Sequence, residues 1–237
     1  MIEISLARHV KVAGAAALYG STDVMPRSED NSRLLSTLTI HQQQNKPFEL
    51  VVSSPLNRCR LLATMFSEQN NIPLKCDDGF QEMHFGEFDG IPFDDNTFSR
   101  DTVLGAKNWT TLEQFWKAPA IAVLPQAESL ADFNQRVLVA WQELIDLCFK
   151  QSEDEEHLKP KLKRILLVAH GGVIRIILAQ VLQLAWQNPV LHQSLQISNG
   201  SISKITVTRP FEDSNVDHFQ VNFIGLPLLT SIEIMNS

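Results

Sequence analysis

An α/β fold, with helices covering a mostly parallel sheet, is what the sequence predicts. Short apolar runs alternate with longer amphipathic ones along the chain, the pattern of repeated βαβ units. The stretch Ile165 to Ala169 is continuously apolar, as a central parallel strand covered on both faces must be. At 237 residues, with 44% hydrophobic and 20% charged side chains, the chain is long and apolar enough for one large domain.

The elements follow in order. Ile2, Ile4 and Leu6 mark a first strand that ends at Arg8-His9, and the Gly/Ala-rich stretch 10–26 reads as a loop. Leu34, Leu35 and Leu38 share one face of a helix over about 29–44. Glu49 to Val52 forms a strand halted at Ser53-Ser54-Pro55, where Ser54 suits an N-cap and Pro55 the first helical position. The helix that follows, to about Gln69, turns Leu56, Leu62, Ala63 and Phe66 inward, and residues 72–76 form another short strand. From 77 to 125 the pattern weakens, with short helices expected around 110–117. Ser129 to Asp132 resembles a capping box and opens a long helix to about Gln151, with Phe133, Val137, Trp141 and Leu144 on its buried face. The charged run 153–163 reads as a solvated connection. A helix over 173–184 and strands over 201–208 and 218–224 complete the chain. No repeat or linker divides it, so one domain is expected over 1–237, with a lid or insertion at about 90–125.

Composition excludes several functions. Twenty Lys and Arg stand against 27 Asp and Glu, a formal charge of −7, which disfavours a nucleic-acid or acidic-membrane binder. Such a protein binds an anion only by gathering its cations in one pocket. The three cysteines, Cys59, Cys76 and Cys148, form no C-x-x-C pair, so neither a disulfide scaffold nor a zinc knuckle is expected and a reducing compartment fits. Glu3, Arg8, His9 and Lys11 interrupt the N-terminal apolar residues, and no stretch reaches a membrane-spanning length. The expectation is a soluble cytoplasmic protein.

Two segments deliver a histidine from the carboxyl end of a strand: Leu6-Ala7-Arg8-His9 and Val168-Ala169-His170-Gly171-Gly172. Ligands of open α/β sheets sit at those ends. Gly171 and Gly172 permit close backbone approach, and the helix they open presents free N–H groups to an anion, most naturally phosphate. Arg8, Arg58 in the helix after Ser54-Pro55, and Arg175 one turn beyond His170 are the cations that can converge there, and guanidinium forks suit phosphate oxygens.

These motifs resemble the histidine phosphatase superfamily, the phosphoglycerate mutase-like fold. The matching segments are Ala7 to His9, Val52 to Arg58, Glu82 to Gly90, Glu128-Ser129 and Ala169 to Arg175, in the family's order. Ala16 to Val24 and Glu82 to Gly86 are most similar to the α-ribazole-5′-phosphate phosphatases of cobalamin biosynthesis. The resemblance implies a three-layer α/β/α sandwich and a phosphomonoesterase that needs no metal or other cofactor. It implies His9 as a nucleophile forming a phosphohistidine, Glu82 as general acid and then base, and Arg8, Arg58 and His170 as holders of the phosphoryl oxygens. Gly171, Tyr19 and His84 join the substrate-binding set. The implied partner is a small phosphorylated metabolite, with neither nucleic acid nor membrane, and a homodimer is among the open oligomeric states.

Asp77, Asp78, Glu87 and Asp89 lie near Glu82 as rival carboxylates, while His41, His157, His192 and His218 fall in no motif and read as structural or solvent-facing. The chain also departs from the family. Val10 and Lys11 replace the usual Gly and Glu or Gln after the first histidine, Val12 and Ala15 replace phosphate-binding Thr or Ser and Asn, and Ala127 replaces Gly. Three alternatives stay open: phosphoglycerate mutase-type transfer, a broad-specificity small-molecule phosphatase, and a non-catalytic phosphate- or protein-binding relic.

Overall fold

The computed structural model describes residues 1–44, 47–150, 162–209 and 217–228. The strands are β1 (Ile2–Arg8), β2 (Leu50–Ser53), β3 (Leu74–Cys76), β4 (Arg164–Ala169), β5 (Ser201–Thr208) and β6 (His218–Pro227). They form one sheet in the order β3-β2-β4-β1-β5-β6. The first four in this order run parallel, β5 is antiparallel to β1, and β6 is antiparallel to β5. The helices are α1 (Ser28–Gln44), α2 (Asn57–Asn70), α3 (Val103–Lys117), α4 (Leu130–Phe149), α5 (Gly171–Val181) and α6 (Pro189–Ser194).

Alternation along β4 explains the layering. Ile165, Leu167 and Ala169 enter one apolar cluster, together with Val137, Trp141 and Leu144 of α4 and Val173 and Ile177 of α5. Leu166 and Val168 enter the other, with Leu34 and Leu38 of α1 and Leu62 and Phe66 of α2. A period of two places successive side chains on opposite faces, so an all-apolar strand needs cover on both. Each Ile, Leu or Val side chain among them contributes about 1.5–3 kcal/mol on burial.

Several boundaries differ from the sequence expectation, for identifiable reasons. α2 begins at Asn57 rather than Pro55, because Ser54 is fully buried with its Oγ 2.8 Å from His170 Nε2. The carboxylate of Asp23 serves that helix end instead, accepting the Asn57 backbone N–H and its Nδ2, each at 2.7 Å. Ser129 does cap α4, its Oγ accepting the Asp132 N–H at 3.1 Å. The short helices expected near 110–117 are one helix, α3, started by Thr102, whose Oγ1 accepts the Gly105 N–H at 3.0 Å. Gly105 and Asn108 weaken the helical signal of its first turns. Phe98, Leu112, Phe115 and Leu124, all within the expected lid or insertion region, are buried in the larger apolar cluster. α5 starts at Gly171, two residues earlier than expected, and β3 is shortened to three residues. Most of the charged connection, including His157, lies outside the described residues.

Register positions the site. β1 and β4 are neighbours with Arg8 opposite Ala169, so the next residues, His9 and His170, leave the sheet at the same level. On the far side of β4, β2 ends at Ser53 opposite Val168 and delivers Ser54 to the same edge.

Candidate active site

The two imidazoles meet edge to face, with ring centroids 5.2 Å apart. His9 Nδ1–H donates to its neighbour's carbonyl, Val10 O, at 2.7 Å, which leaves the lone pair on Nε2. Burial is the main reason that His9 stays neutral, and the Arg8 and Arg58 charges act in the same direction, against the Val10 carbonyl, lowering its pKa to about 3. His170 is fully buried, and burial, His9 and the nearby guanidinium groups hold it well below the usual imidazole range. Its Nδ1 accepts from Arg58 Nε at 3.2 Å, so its Nε2–H donates to Ser54 Oγ. Both rings are therefore neutral at ordinary pH, but the lone pair of His170 is engaged by Arg58, which leaves His9 as the ring suited to act as base or nucleophile.

Arg58 is 1% exposed and spends its remaining donors on a loop. Nη1 donates to Thr22 O, and Nη2 to Tyr19 O and Gly20 O. The same loop is held from its amide side by Asp89, which accepts the N–H groups of Gly20, Ser21 and Thr22 and that of Phe85. Burial pushes the Asp89 pKa up, but these hydrogen bonds outweigh it and hold the carboxyl ionised below its ordinary range. Arg8 donates from Nη1 to Ile197 O, while its buried Nε has no hydrogen-bond partner among the described residues. A buried donor left unmade costs about 1–3 kcal/mol, so this one is suited to an incoming acceptor.

Glu82 stands at the start of α5. Its Oε2 accepts the Gly172 N–H at 3.0 Å and its Oε1 the Met83 N–H at 3.1 Å. The two glycines after His170 make this crowding possible. A β-carbon on Gly171 would lie 3.2 Å from Arg8 Nε, and one on Gly172 would lie 2.2 Å from Glu82 Oε1. Their freedom thus serves two site side chains rather than only an approaching ligand. The rival carboxylates have other partners: Asp77 caps a turn at Gly79 and pairs with Lys75, Asp78 accepts from Gln81, and Glu87 accepts from Gln126.

Two adjoining cavities share Leu18, Glu82 and Phe85. The first, of about 510 Å³, is lined by Arg8, His9, Lys11, Tyr19 and Arg27, with Asn199 beside them. Lys11 and Arg27 flank a short antiparallel bridge between Val12 and Pro26, where the Arg27 N–H donates to Lys11 O. Lys11 stands in the 10–26 loop and Arg27 just after it, while Val12 and Ala15 of that loop carry no side-chain donor. The second cavity, of about 420 Å³, has aromatic walls and contains Arg175.

The structure thus brings Arg8, His9, Arg58, Glu82 and His170 together, with differences from expectation. Arg58 and His170 line neither cavity; they are packed behind His9, because Ser54 and the loop carbonyls hold their polar atoms. Gly171 also lines neither. Tyr19 lines the first cavity, its hydroxyl donating to Ala15 O at 2.8 Å. His84 is exposed and lines neither, since its Nδ1 accepts the Gly86 N–H in a local turn. Arg175 belongs to the second cavity rather than beside His9, because one helical turn beyond His170 carries it past Glu82. His192, read as structural or solvent-facing, lines that second cavity.

Sequence reasoning missed Arg136. Its guanidinium pairs with both oxygens of Glu128, at 2.9 and 2.8 Å, and donates from Nη1 to the carbonyls of Asp78, Gly79 and Gln81. Glu128 also accepts the His84 N–H at 3.3 Å. Together they fasten the irregular segment that carries Glu82. The Glu128-Ser129 pair was visible in the sequence; its partner eight residues later was not.

A family model for the histidine phosphatase superfamily, branch 1, matches residues 4–213. The chain belongs to that superfamily. It is 22% identical over 180 residues, 75% of each chain, to the uncharacterized phosphatase PhoE of Bacillus subtilis. It is 24% identical over 184 residues to a putative phosphoserine phosphatase 2 of Hydrogenobacter thermophilus, covering 78% of this chain and 77% of that one. The α-ribazole phosphatase from Shigella flexneri shares its fold, with a TM-score of 0.69 at 17% identity over 95% of this chain and 98% of that one. This superfamily member is accordingly a phosphatase-type hydrolase. No helix among the described residues is long and apolar enough to cross a membrane. No group of three or more His, Cys, Asp or Glu among them is placed to hold a metal ion.

Proposed function

We propose that the protein is a phosphomonoesterase that works through a phosphohistidine on His9, and that its substrate is α-ribazole 5′-phosphate. The observation that carries the mechanism is His9 itself: a neutral imidazole, fixed through Nδ1, lining a cavity of cations that also holds a carboxyl group. The Nε2 lone pair attacks phosphorus as the bond to the ester oxygen breaks, and protonated Glu82 gives that oxygen its proton. Water then attacks the phosphohistidine, Glu82 accepts the proton, and phosphate leaves with His9 restored. Arg8 binds the phosphoryl oxygens through its buried Nε–H. Arg58 and His170 complete the anion site by exchanging a loop carbonyl and Ser54 for phosphoryl oxygens.

The scale of the reaction demands such a set. Acceleration of phosphate monoester hydrolysis reaches about 10²¹-fold, whereas losing one preorganised donor typically costs about 3–4 kcal/mol. The subfamily reading draws on segments 16–24 and 82–86. These segments interlock at Gly20, where an added β-carbon would lie 2.0 Å from Met83 O and 2.4 Å from Asp89 Oδ2.

Labelled substrate, mixed with enzyme and quenched in alkali, traps a base-stable, acid-labile phosphoenzyme that His9→Ala abolishes along with turnover. Full activity in that variant removes the nucleophile. In a panel of phosphate monoesters, α-ribazole 5′-phosphate gives the highest kcat/KM; a clear preference for another ester removes the substrate and leaves the mechanism.

A further inference from the structure

Glu82, the proposed proton donor, lines both cavities, whereas His9 lines only the first. A phosphoryl group seated on His9 must turn its ester oxygen towards Glu82 to be protonated. The alcohol attached to that oxygen then lies beyond Glu82, in the second cavity. The walls of that chamber therefore state what alcohol the enzyme accepts.

The walls are aromatic and braced. Phe85, Phe115, Trp116 and Phe133 contribute to them, with Phe85 and Phe115 edge to face at 6.1 Å. Trp116 packs against Phe93 and Trp109, at 5.7 and 6.0 Å, and its carbonyl accepts Gln193 Nε2 at 2.7 Å, tying α3 to α6. A chamber of about 420 Å³ lies within the size range of small-molecule sites.

Its polar groups are few and mixed. Arg175 donates from Nε to Leu195 O at 2.8 Å, and its guanidinium is the chamber's cation. His192 Nε2–H donates to Trp186 O at 2.7 Å, so its Nδ1 carries the lone pair as an acceptor. Burial, helped by Arg175 and opposed by that carbonyl, keeps His192 on the neutral side of its usual range. With its amide nitrogen on Trp116, Gln193 offers its oxygen, and Glu82 adds a carboxyl. A second carboxylate or phosphate on the alcohol would meet one guanidinium but three acceptor-bearing groups. An uncharged ring with both a donor and an acceptor at its edge matches all of them.

We propose that this chamber, bounded by Phe85, Phe115, Trp116 and Phe133 and read at its polar edge by Arg175, His192 and Gln193, is a leaving-group site for uncharged aromatic alcohols. The proposal rests on the phosphomonoesterase reading above and assigns these residues to substrate selection. It sets the protein apart from phosphatases of compact anionic esters such as phosphoserine and 3-phosphoglycerate.

The test compares kcat/KM for 1-naphthyl phosphate and an aromatic nucleoside 5′-phosphate with that for phosphoserine and 3-phosphoglycerate. Aromatic esters are expected to lead by about tenfold or more, the scale on which an apolar pocket discriminates. Trp116→Ala, at the half-exposed end of α3, is expected to collapse that ratio, chiefly through KM. Inhibition by inorganic phosphate reports that the variant is folded and its first cavity intact. Calorimetric titration with 1-naphthol reads the chamber without any chemistry, and binding that Trp116→Ala abolishes supports the proposal. Equal or better turnover of phosphoserine, or naphthol binding untouched by Trp116→Ala, overturns it. Loss of the phosphatase reading shows itself differently, as no phosphoenzyme on His9 from any ester.

Discussion

The carboxylate of Glu82 accepts the backbone N–H of Gly172 at 3.0 Å, and no β-carbon fits on Gly172 without displacing it. Gly172→Ala should therefore move the acid while sparing His9. Esters with poor alkyl leaving groups are expected to lose kcat by up to roughly 10²- to 10⁴-fold, the range general acids contribute. Hydrolysis of p-nitrophenyl phosphate, whose leaving group needs little protonation, should fall far less. Equal losses on both esters would argue against Glu82 as the acid.

Arg136 acts on the same group from a distance. Arg136→Lys keeps the charge but loses the fork that spans Glu128 and the carbonyls of segment 78–82. About a tenfold fall in kcat for alkyl esters is expected, in line with the cost of small misplacement. The alkyl-to-p-nitrophenyl ratio separates this positioning role from general destabilisation, which would lower both rates together.

Acid should unfold the protein through its imidazoles. Burial foremost, then Arg8 and Arg58, hold folded His9 at about 3, and His170 is also held low, both below the unfolded value near 6.5. The unfolded chain binds the extra protons, so stability is full above about pH 6.5 and declines as the pH falls towards the folded values. Each imidazole contributes a slope of up to about 1.4 kcal/mol per pH unit in that window. Urea midpoints measured across it should show His9→Gln with a slope smaller by about one proton. An unchanged slope would mean that His9 titrates while folded.

Lys11 and Arg27 both line the first cavity and give it two positive charges besides Arg8, which an anion would neutralise. The double variant Lys11→Gln/Arg27→Gln should raise KM and weaken inhibition by phosphate, by roughly tenfold at low salt, and the difference should shrink as salt screens the charges. A salt-independent or absent effect would place both side chains outside phosphate recognition.

The strand ends were legible because their signals are local. A buried strand has period two, its end is marked by polar residues, and Arg8-His9 and His170-Gly171-Gly172 sit at such ends. The α4 helix was legible from its spacing and from Ser129. The Ser54 cap was misread because the fold gave its hydroxyl to His170, a residue more than a hundred positions away, and recruited Asp23. The first turns of α3 were hidden by Gly105 and Asn108 and became visible only through the Thr102 cap.

By itself, the sequence determined the layering, the strands that end in histidine and the family whose motifs they carry, since these follow from side-chain periodicity and from residues adjacent in the chain. Only the tertiary structure decided which polar atoms meet. It turned Arg58 and His170 inward onto a loop and Ser54, carried Arg175 past Glu82 into an aromatic chamber with His192, left His84 on the surface and set Arg136 behind the acid. The physical reason is that a buried donor must find an acceptor wherever the packed chain supplies one, and that choice is made across the sheet rather than along the sequence.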